Sequence, residues 1–339
     1  MLTSAAFLLL SSFVLSAIAG HPSHNNLRAR HARQAHRRDK SFTLTDKYVG
    51  KDFLDEGKWG YFTGSDPTHG SVNFVSQSDA VKKGLAFVRP DNVAVLAVDN
   101  TTDLSPGQNR NTIRITSTKS YNGGLFIADF GAMPHGCSVW PAWWSVGPNW
   151  PSAGEIDVIE GVNEGTVNQY TLHTGEGCNL ARNPPASSTG SLAFTSKVLG
   201  TTCASSGGDN SGCAFLDSDT RSFGHGFNEQ GGGVYAHLWD NTGIKAWHFA
   251  RGEIPADITA GAPNPDSWPT PQAFWAASGC DIAQHFHDHN LVIDTTLCGD
   301  FAGGAYPQSG CPGTCAQAVA DKTNFDFARW QINSISVYN

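Results

Sequence analysis

The sequence of 339 residues contains no internal repeat, no low-complexity run and no internal linker that would divide it into separate domains. Helical periodicity is nearly absent too, and only Cys315 to Lys322 has the pattern of a short helix. Basic residues are fewer than acidic ones, 22 against 30, and this balance disfavours a nucleic-acid-binding role because an acidic chain repels polyanions. These absences leave one large β-rich domain of about 300 residues as the expected organisation.

The first residues are typical of a secreted protein. Residues 1–19 contain an apolar run of signal-peptide length and end in Ala17-Ile18-Ala19, the small-x-small pattern of a signal-peptidase site, although no basic residue precedes the run. A membrane anchor is the less favoured alternative, because the run is short and polar residues follow at once. We therefore predict a signal peptide and an extracellular protein that is not bound to a membrane.

Residues 20–38 are rich in His and Arg and end in the dibasic pair Arg37-Arg38. This composition fits a disordered pro-segment that is cleaved after Arg38, and it fits equally well a basic tail that stays attached. Loss of residues 1–38 would remove five Arg and no acidic residue, so 17 basic residues would face 30 acidic ones and the net charge would change from −8 to −13. We expect a single domain over residues 39–339.

The eight Cys are an even number in a secretory context, so up to four disulfides are expected. The sequence leaves their pairing open, although Cys203 and Cys213 flank a Ser/Gly-rich loop that they could close locally. Cys311 and Cys315 lack the spacing and the partners of a zinc site, and we predict no metal. The sequon at Asn100 predicts a surface position that can be glycosylated.

Alternation of polar and apolar residues, with turn signals between the segments, predicts an all-β fold. The predicted strands cover residues 71–78, 93–99, 111–119, 123–130, 155–160, 167–173, 290–297 and 330–338, and a hairpin joins 234–239 to 244–249 through a loop at 240–243. With 37 Gly and 17 Pro, this pattern favours a jelly-roll sandwich of two antiparallel sheets. A concave sheet in such a sandwich would form a groove for an extended polymer.

The segment GEIDVIEGVN combines three carboxylates with a run of aliphatic residues. In a regular strand Glu160 would point away from Glu155 and Asp157 and would stand among core aliphatics, where an unpaired carboxylate is costly. A β-bulge near Val158 or Ile159 removes this conflict, because the extra residue returns Glu160 to the face of the other carboxylates. We therefore predict a bulge and three carboxylates on one face.

Two glutamates on one face can serve as the catalytic pair of a retaining glycosidase, in which the two carboxyl groups lie about 5 to 5.5 Å apart. Clustered like charges raise at least one pKa, so that one Glu keeps a proton near neutral pH while the other is ionised. Two alternatives stay open at this point. The charges can form a solvated surface, or they can bind calcium, although calcium sites favour flexible loops over an aliphatic strand.

Four Trp within eleven residues precede this strand, namely Trp140, Trp143, Trp144 and Trp150. Indole rings beside carboxylates suit a sugar groove, because the C–H face of a pyranose packs on an aromatic plane. Buried core positions are the commoner use of Trp. We expect Trp140 and Trp144 in the core, and Trp143 and Trp150 in the groove.

The stretches WPAWWSVGPNWPSAGEIDVIEGVN, TLHTGEGC and HNLVIDTTLCGD closely resemble the fungal endo-1,3(4)-β-glucanases (laminarinase type) of glycoside hydrolase family 16. The resemblance extends from about residue 45 to the C-terminus. It implies a concanavalin A-like jelly roll, endo-hydrolysis of β-1,3 and mixed β-1,3/1,4 glucans with retention, and no cofactor. It also implies that Glu155 is the nucleophile, Glu160 the acid/base and Asp157 the residue that tunes the pair.

The resemblance adds His173 near the catalytic centre and Asn163 and Phe301 among the substrate-binding residues. Relatives typically have Trp at the position of Phe301, so one sugar subsite would have a smaller stacking platform here. A cell-wall transglycosylase of the same fold is an alternative function, as is a non-catalytic glucan-binding protein, although such proteins commonly lose the catalytic Glu. We expect a monomer whose partner is a β-glucan chain.

Overall fold

The computed structural model of the chain describes residues 42–182, 184, 193–206 and 208–339. Ser41–Asn339 form one compact unit. The expected signal peptide, the basic segment and the domain boundary at residue 39 lie outside the described residues. Among those that are described, no helix has the length and hydropathy needed to cross a bilayer.

Strands dominate the part of the chain that the structure describes, and there they form two large sheets and a small one. The eighteen strands are β1 (Leu44–Tyr48), β2 (Trp59–Tyr61), β3 (Val72–Phe74), β4 (Ala86–Val88), β5 (Ala94–Ala97), β6 (Arg110–Thr112), β7 (Arg114–Tyr121), β8 (Gly124–Ala132), β9 (Val139–Val146), β10 (Glu155–Glu160), β11 (Gln169–His173), β12 (Lys197–Val198), β13 (Cys213–Leu216), β14 (Gly233–Asp240), β15 (Gly243–Ala250), β16 (Ala273–Ala276), β17 (His289–Leu297) and β18 (Arg329–Tyr338).

Sheet A contains eight strands in the order β16-β15-β14-β8-β18-β5-β4, with β1 also paired to β18. Sheet B contains eight strands in the order β12-β13-β11-β10-β9-β17-β7-β2. All pairs in both sheets are antiparallel, whereas β3 and β6 form a small parallel pair. The predicted all-β sandwich of two antiparallel sheets is confirmed.

Helical segments are short and lie between strands. The α-helices are α1 (Gln77–Lys82), α2 (Gly224–Glu229), α3 (Ala256–Thr259), α4 (Ile282–His285) and α5 (Cys315–Ala320). The 3₁₀ turns are Gly50–Leu54, Arg251–Glu253, Pro265–Ser267, Tyr306–Gln308 and Lys322–Phe325, and Gly299–Gly303 forms one π-turn. The predicted helix at residue 315 is confirmed, but the expectation of a single helix is wrong, since helices of four to six residues are too short for a periodic pattern to appear.

The predicted strands all have counterparts in the structure: 155–160 matches β10, 111–119 spans parts of β6 and β7, and the others have shifted ends. The hairpin is confirmed as β14 and β15, which pair from Gly233↔Ala250 to Asp240↔Gly243. The predicted strand at 71–78 ends early, because α1 begins at Gln77. Strand β9 is not among the predictions, although it lies at the centre of sheet B. Buried and partly exposed residues alternate along the whole strand. The sequence does not show this alternation, because Trp occurs on both faces and Pro141 is untypical of a strand.

The core between the sheets is rich in aromatic residues. Phe126 and Phe130 of sheet A belong to the same buried cluster as Trp143 and Ile156 of sheet B. Phe130 contacts Trp143 edge-to-face with 6.2 Å between ring centroids, and it also contacts Trp330. One face of sheet B is therefore committed to the core, and its other face is available for a site.

The eight Cys form four disulfides: Cys137–Cys311, Cys178–Cys280, Cys203–Cys213 and Cys298–Cys315. The predicted local closure by Cys203 and Cys213 is confirmed. The two bridges to residues 311 and 315 hold the segment that follows β17, and the other two hold the loops beyond β11. Both groups of loops border the open face of sheet B, one through Asp300 and Phe301 and the other through residues 210–212.

Candidate active site

The predicted bulge is present in β10. Against β9, Asp157 pairs with Trp144 and Ile159 with Trp143, so that Val158 is the extra residue. Val158 and Ile159 are both fully buried. The bulge turns both aliphatic residues toward the core and restores the face of the next residue, as predicted from the cost of a buried carboxylate.

As a result, all three carboxylates line one cavity of about 310 Å³ on the open face of sheet B. Its walls come from β7, β9, β10 and β17, from three loops and from the π-turn, through Pro67, Thr68, Arg114, Trp140, Ala142, Trp144, Val146, Trp150, Glu155, Asp157, Glu160, Asn210, Asp294, Thr296 and Asp300. The even-numbered residues of β9 all face this cavity. Three of them pair directly with the carboxylates, Val146 with Glu155, Trp144 with Asp157 and Ala142 with Glu160.

This register corrects the predictions for three of the tryptophans. Trp143 is 1% exposed and packs in the core, so its placement in the groove is wrong. Trp140 and Trp144, which were expected in the core, line the cavity instead. The reason is geometric: directly paired residues share a face, and Trp143 pairs with the buried Ile159 while Trp144 pairs with Asp157. Trp150 lies at the cavity and is 46% exposed, as expected.

A second cavity of about 440 Å³ adjoins the first. The two share Thr68, Trp140, Glu155, Glu160, Asn210 and Asp300 among their lining residues. The second cavity continues over β11 and β13 to residues 199–200 and 210–212, and it includes His173 and Phe301. Together the cavities form one cleft, with the two glutamates where its halves meet.

Each glutamate receives a hydrogen bond from an indole. Trp150 Nε1 donates to Glu155 Oε2, and Trp140 Nε1 donates to Glu160 Oε1 at 3.0 Å. The Trp140 ring in turn contacts Phe301 edge-to-face, with centroids 5.5 Å apart. The tryptophans therefore orient the carboxylates as well as forming the walls of the cleft.

The carboxylate cluster has strongly perturbed proton affinities. Burial raises the pKa of Glu155 to about 7 and that of Glu160 to about 7. Burial, reinforced by the charges of Glu155 and Glu160, raises the pKa of Asp157 well above its usual range. A hydrogen bond between Asp157 and Glu155 lowers the pKa of Glu155 and raises that of Asp157, which is the arrangement of a protonated Asp157 donating to an ionised Glu155.

His173 completes this cluster. Its Nε2 lies 3.4 Å from Asp157 Oδ2, and its Nδ1 lies 2.9 Å from Ser205 Oγ. Burial lowers the pKa of His173 to about 4, so the imidazole is neutral above that pH. A neutral His173 gives Asp157 no positive charge that would favour its ionised form.

Asn163 does not reach the cleft. It is 1% exposed, its Oδ1 accepts from Ser138 N at 2.8 Å and its Nδ2 donates to Ala302 O at 3.0 Å. The backbone turns at this residue through a φ of 55°, which sends the side chain toward neighbouring loops. Its expected place among the substrate-binding residues is therefore wrong. Asn100 is exposed, and its Nδ2 donates to Asp326 Oδ1 at 3.1 Å.

Sequence reasoning missed a polar pair in the first cavity. Asp294 and Arg114 are cross-strand partners on β17 and β7, and both line the cavity near Glu155. Trp144 Nε1 donates to Asp294 Oδ1 at 3.0 Å, and the Arg114 guanidinium lies over the Trp144 ring at 4.9 Å. Burial raises the pKa of Asp294 to about 6. The segment HNLVIDTTL contained the signal, since Asp294 is the one acidic residue of this strand and directly follows the apolar run Leu291-Val292-Ile293.

Two groups of possible metal ligands occur among the described residues. The first includes Cys137 and Cys311, whose sulfurs are joined in a disulfide and cannot act as thiolate ligands. The second consists of Glu155, Asp157 and His173, whose ligand atoms lie within 4.8 Å of one another. This second group is the carboxylate cluster itself.

Comparison with known families and proteins agrees with this site. A family model described as the XgeA-like, catalytic GH16 domain matches residues 59–338. A probable glycosidase of Schizosaccharomyces pombe is 39% identical over 303 residues, which are 88% of this chain and 70% of the relative. A probable endo-1,3(4)-β-glucanase of Aspergillus niger is 40% identical over 309 residues, and this match includes 88% of the present chain but only 40% of the relative.

Solved structures give the same result. Laminarinase 16A from Phanerochaete chrysosporium, solved with 6-O-glucosyl-laminaritriose in its donor and acceptor sites, superimposes with a TM-score of 0.82 at 38% identity over 88% of this chain and 100% of that one. An elongating family 16 β-1,3-glucosyltransferase gives a TM-score of 0.81 at 39% identity, with the same coverage. The sandwich thus has the same jelly-roll fold as these two enzymes. The chain belongs to the XgeA-like catalytic domains of glycoside hydrolase family 16, the family of the fungal endo-1,3(4)-β-glucanases.

Proposed function

We propose that this protein is a retaining endo-β-glucanase that hydrolyses β-1,3 and mixed β-1,3/1,4 glucans, with Glu155 as the nucleophile and Glu160 as the acid/base. One observation supports this proposal above the others. The bulge in β10 brings both glutamates to the junction of two cavities, where each accepts a hydrogen bond from a cleft tryptophan. Two carboxylates at the centre of an open cleft are what cleavage within a chain requires.

The surroundings of the glutamates differ, and the difference supports the assignment of roles. Glu155 accepts hydrogen bonds from Trp150 and Asp157, and the positive charge of Arg114 lowers its pKa further. Among the described residues, Trp140 is the only hydrogen-bond donor to the Glu160 carboxylate, and the negative charge of Glu155 raises the pKa of Glu160. Glu155 therefore ionises first, and Glu160 keeps its proton once Glu155 is charged.

In the first step, a Glu155 oxygen forms a bond to the anomeric carbon while the bond from that carbon to the leaving oxygen breaks and the proton of Glu160 passes to that oxygen. In the second step, a water gives a proton to Glu160 and its oxygen bonds to the anomeric carbon as the ester to Glu155 breaks. Two inversions give net retention. The hydrogen bond from Asp157 stabilises Glu155 as a carboxylate before the first step and as a leaving group in the second.

The cleft has the lining expected for a glucan. Trp144 and Trp150 border the first cavity, whereas Phe301 and residues 199–200 and 210–212 border the second. Aromatic planes suit the C–H faces of glucosyl rings. The cleft continues on both sides of the glutamates, so an internal segment of a glucan chain can bind across them. The laminarinase of P. chrysosporium, which binds β-glucans in donor and acceptor sites, supports this substrate class.

Several properties of the whole protein belong to the same proposal. Four disulfides are typical of proteins that fold in an oxidising compartment, and they support secretion. The exposed sequon at Asn100 is a site for glycosylation in that compartment. We expect the domain to act as a monomer.

A second candidate function is transglycosylation, in which a sugar hydroxyl replaces water in the second step. The similarity to an elongating β-1,3-glucosyltransferase at 39% identity favours it. The same two glutamates would serve both reactions, so the difference depends on how well the second cavity binds an acceptor. A non-catalytic binding protein is disfavoured, because both glutamates are present and face the cleft.

Parallel digestion of laminarin, lichenan and cellulose tests the proposal. Proton NMR of the first products should give the β-anomer from laminarin and lichenan, and oligosaccharide sizing should give internal fragments. Products longer than a labelled oligosaccharide substrate would indicate transglycosylation. Activity on cellulose alone, or a first product in the α configuration, would refute the proposal.

A further inference from the structure

We propose that Asn168 is a positioning residue for Glu160. Its side chain takes the place of a backbone peptide at the bulge in β10, and it thereby holds Glu160 in the cleft. The inference rests on the proposed role of Glu160 as the acid/base. It adds a residue that has no contact with the substrate and lies on the loop before β11.

The bulge disrupts the regular pairing of β10 with β11. Asp157 pairs with Thr171 and Glu160 with Gln169, so that two residues of β10 lie opposite the single residue Tyr170. A mismatch of this kind leaves backbone groups without their ladder partners. Buried backbone groups need partners, because each unsatisfied one weakens the structure.

Asn168 supplies these partners. Its Nδ2 donates to Val158 O at 2.9 Å, and its Oδ1 accepts from Glu160 N at 3.0 Å. One primary amide thus contacts the backbone on both sides of Ile159, with a donor and an acceptor as in a peptide group. A Ser could not make both bonds in this geometry, and an ionised Asp has no donor for the carbonyl.

Asn168 is itself held firmly. It is fully buried, its backbone N donates to Ser222 Oγ at 2.9 Å, and its carbonyl accepts from Asp217 N at 2.9 Å. Ser222 Oγ in turn donates to Asp219 O at 2.6 Å. The amide therefore has a fixed place from which it can fix the bulge.

Glu160 is the residue that depends on this bulge. A shift of register by one residue turns a side chain to the other face of a sheet, and here the other face is the core. The indole of Trp140 reaches Glu160 only in the present register, since Trp140 and Ala142 face the cleft. Without Asn168, we expect β10 to sample arrangements in which Glu160 no longer accepts the hydrogen bond from Trp140 and is no longer aligned with the leaving oxygen of the substrate.

The test compares Asn168→Ala with Asn228→Ala, a matched control. Asn228 also bonds one backbone unit through both ends of its amide, since it accepts from Met133 N and donates to Met133 O, each at 2.8 Å. Met133 lies directly after β8 of sheet A, and none of these atoms lines the cleft. Each variant is assayed with a laminarin oligosaccharide, whose leaving group needs a proton, and with a dinitrophenyl β-laminaribioside, whose leaving group does not.

Asn168→Ala should lower kcat/KM on the oligosaccharide by about 100-fold, the order expected for a displaced general acid, and should change kcat/KM on the aryl glycoside, which reports the first step, by only a few-fold. The kcat of the aryl glycoside should fall, because the second step loses its general base, and azide should restore it with a glycosyl azide as product, because an anion needs no general base. The alkaline limb of the pH profile should also move. Asn228→Ala should show none of these three effects, even if both variants melt at lower temperature.

Glu160→Ala separates the two levels of the proposal. If Glu160→Ala has the aryl-glycoside and azide signature and Asn168→Ala does not, the role of Asn168 is refuted and that of Glu160 stands. If Glu160→Ala lacks the signature, the proposed acid/base itself is wrong. Equal losses of Asn168→Ala on both substrates would indicate general damage and would also overturn the positioning role.

Discussion

Trp143 and Trp144 are consecutive residues of β9 that lie on opposite faces of sheet B. Trp143 pairs with Ile159 and packs against Phe130 in the core, whereas Trp144 pairs with Asp157 and lines the cleft. The bulge in β10 produces the shift that lets both pairings occur next to each other. Trp143 therefore contributes to stability, and Trp144 contributes to the proposed sugar-binding surface.

This relationship predicts opposite effects for two adjacent substitutions. Trp143→Ala should lower the free energy of unfolding by about 3–5 kcal/mol, because it opens a cavity in the core. Trp144→Ala should leave stability closer to that of the wild type and lower kcat/KM on laminarin by about 10- to 100-fold through loss of its stacking plane. Urea unfolding and steady-state kinetics measure both. Equal stability losses with equal kinetics would contradict the assigned faces.

Asp157→Asn should stabilise the protein at neutral pH. The pKa of Asp157 is raised in the folded state above the ordinary 3.8, so the folded protein holds a proton that the unfolded chain releases as pH rises. The free energy of unfolding of the wild type consequently decreases by the contribution of Asp157 as pH rises above about 4, and a neutral amide avoids this decrease. The Tm of the variant should exceed that of the wild type at pH 7, and the difference should vanish near pH 3. A lower Tm at pH 7 would show that Asp157 is stabilised as an anion.

Asp294→Asn should move the pH–rate profile to lower pH. The charge of Asp294 raises the pKa of both Glu155 and Glu160, so its removal lets both ionise at lower pH. The amide keeps an oxygen that can accept the bond from Trp144 Nε1. The exposed Asp91, which pairs with Arg89, provides a control whose substitution by Asn should not shift the profile. An unchanged or more alkaline profile for Asp294→Asn would be evidence against this coupling.

Replacement of Cys203 and Cys213 by Ala should affect the second cavity in particular. The disulfide closes a short loop that contains Asn210, Ser211 and Gly212, which all line that cavity. We expect a loss of roughly 2–3 kcal/mol in unfolding free energy. Relative to the wild type, KM should increase more for long oligosaccharides than for short ones. Urea unfolding and steady-state kinetics on oligosaccharides of increasing length measure the two effects. A KM that does not change for any length would separate the loop from substrate binding.

The conformation of β10 could be predicted because one physical conflict determined it. An unpaired Glu160 among aliphatic residues is costly, and a bulge is the smallest change that removes the cost. The raised proton affinity of the cluster followed from the same three residues. These predictions needed only the local sequence and the rule that alternate residues of a strand share a face.

The faces of β9 could not be predicted in the same way. Alternation separates Trp140 and Trp144 from Trp143, but it does not say which set faces the core. That choice depends on the pairing with β10, which is a tertiary relationship. Asn163 shows a related limit, because its proximity to Glu160 along the chain gave no information on the turn that directs its side chain to Ser138 and Ala302.

The contribution of residues from distant segments to the cleft could not be predicted from the sequence either. Asp294 and Arg114 reach the cleft because β7 and β17 are neighbours in sheet B, and Thr68 reaches it from the loop before β3. Asn168 acts at the bulge through its side chain, and no periodic pattern identifies such a contact. In each case the missing information was the order of strands in the sheet.

The central claim is that Glu155 forms the covalent bond to the glucan. A 2-deoxy-2-fluoro-β-laminaribiosyl fluoride should accumulate as a glycosyl-enzyme, because the 2-fluorine slows both steps while the fluoride leaving group keeps the first step fast enough for the intermediate to form. Mass spectrometry of a proteolytic digest should then find one laminaribiosyl group on Glu155, and Glu155→Gln should remain unlabelled. A label on Glu160 or Asp157, or turnover of the reagent with inversion and without any label, would contradict the account.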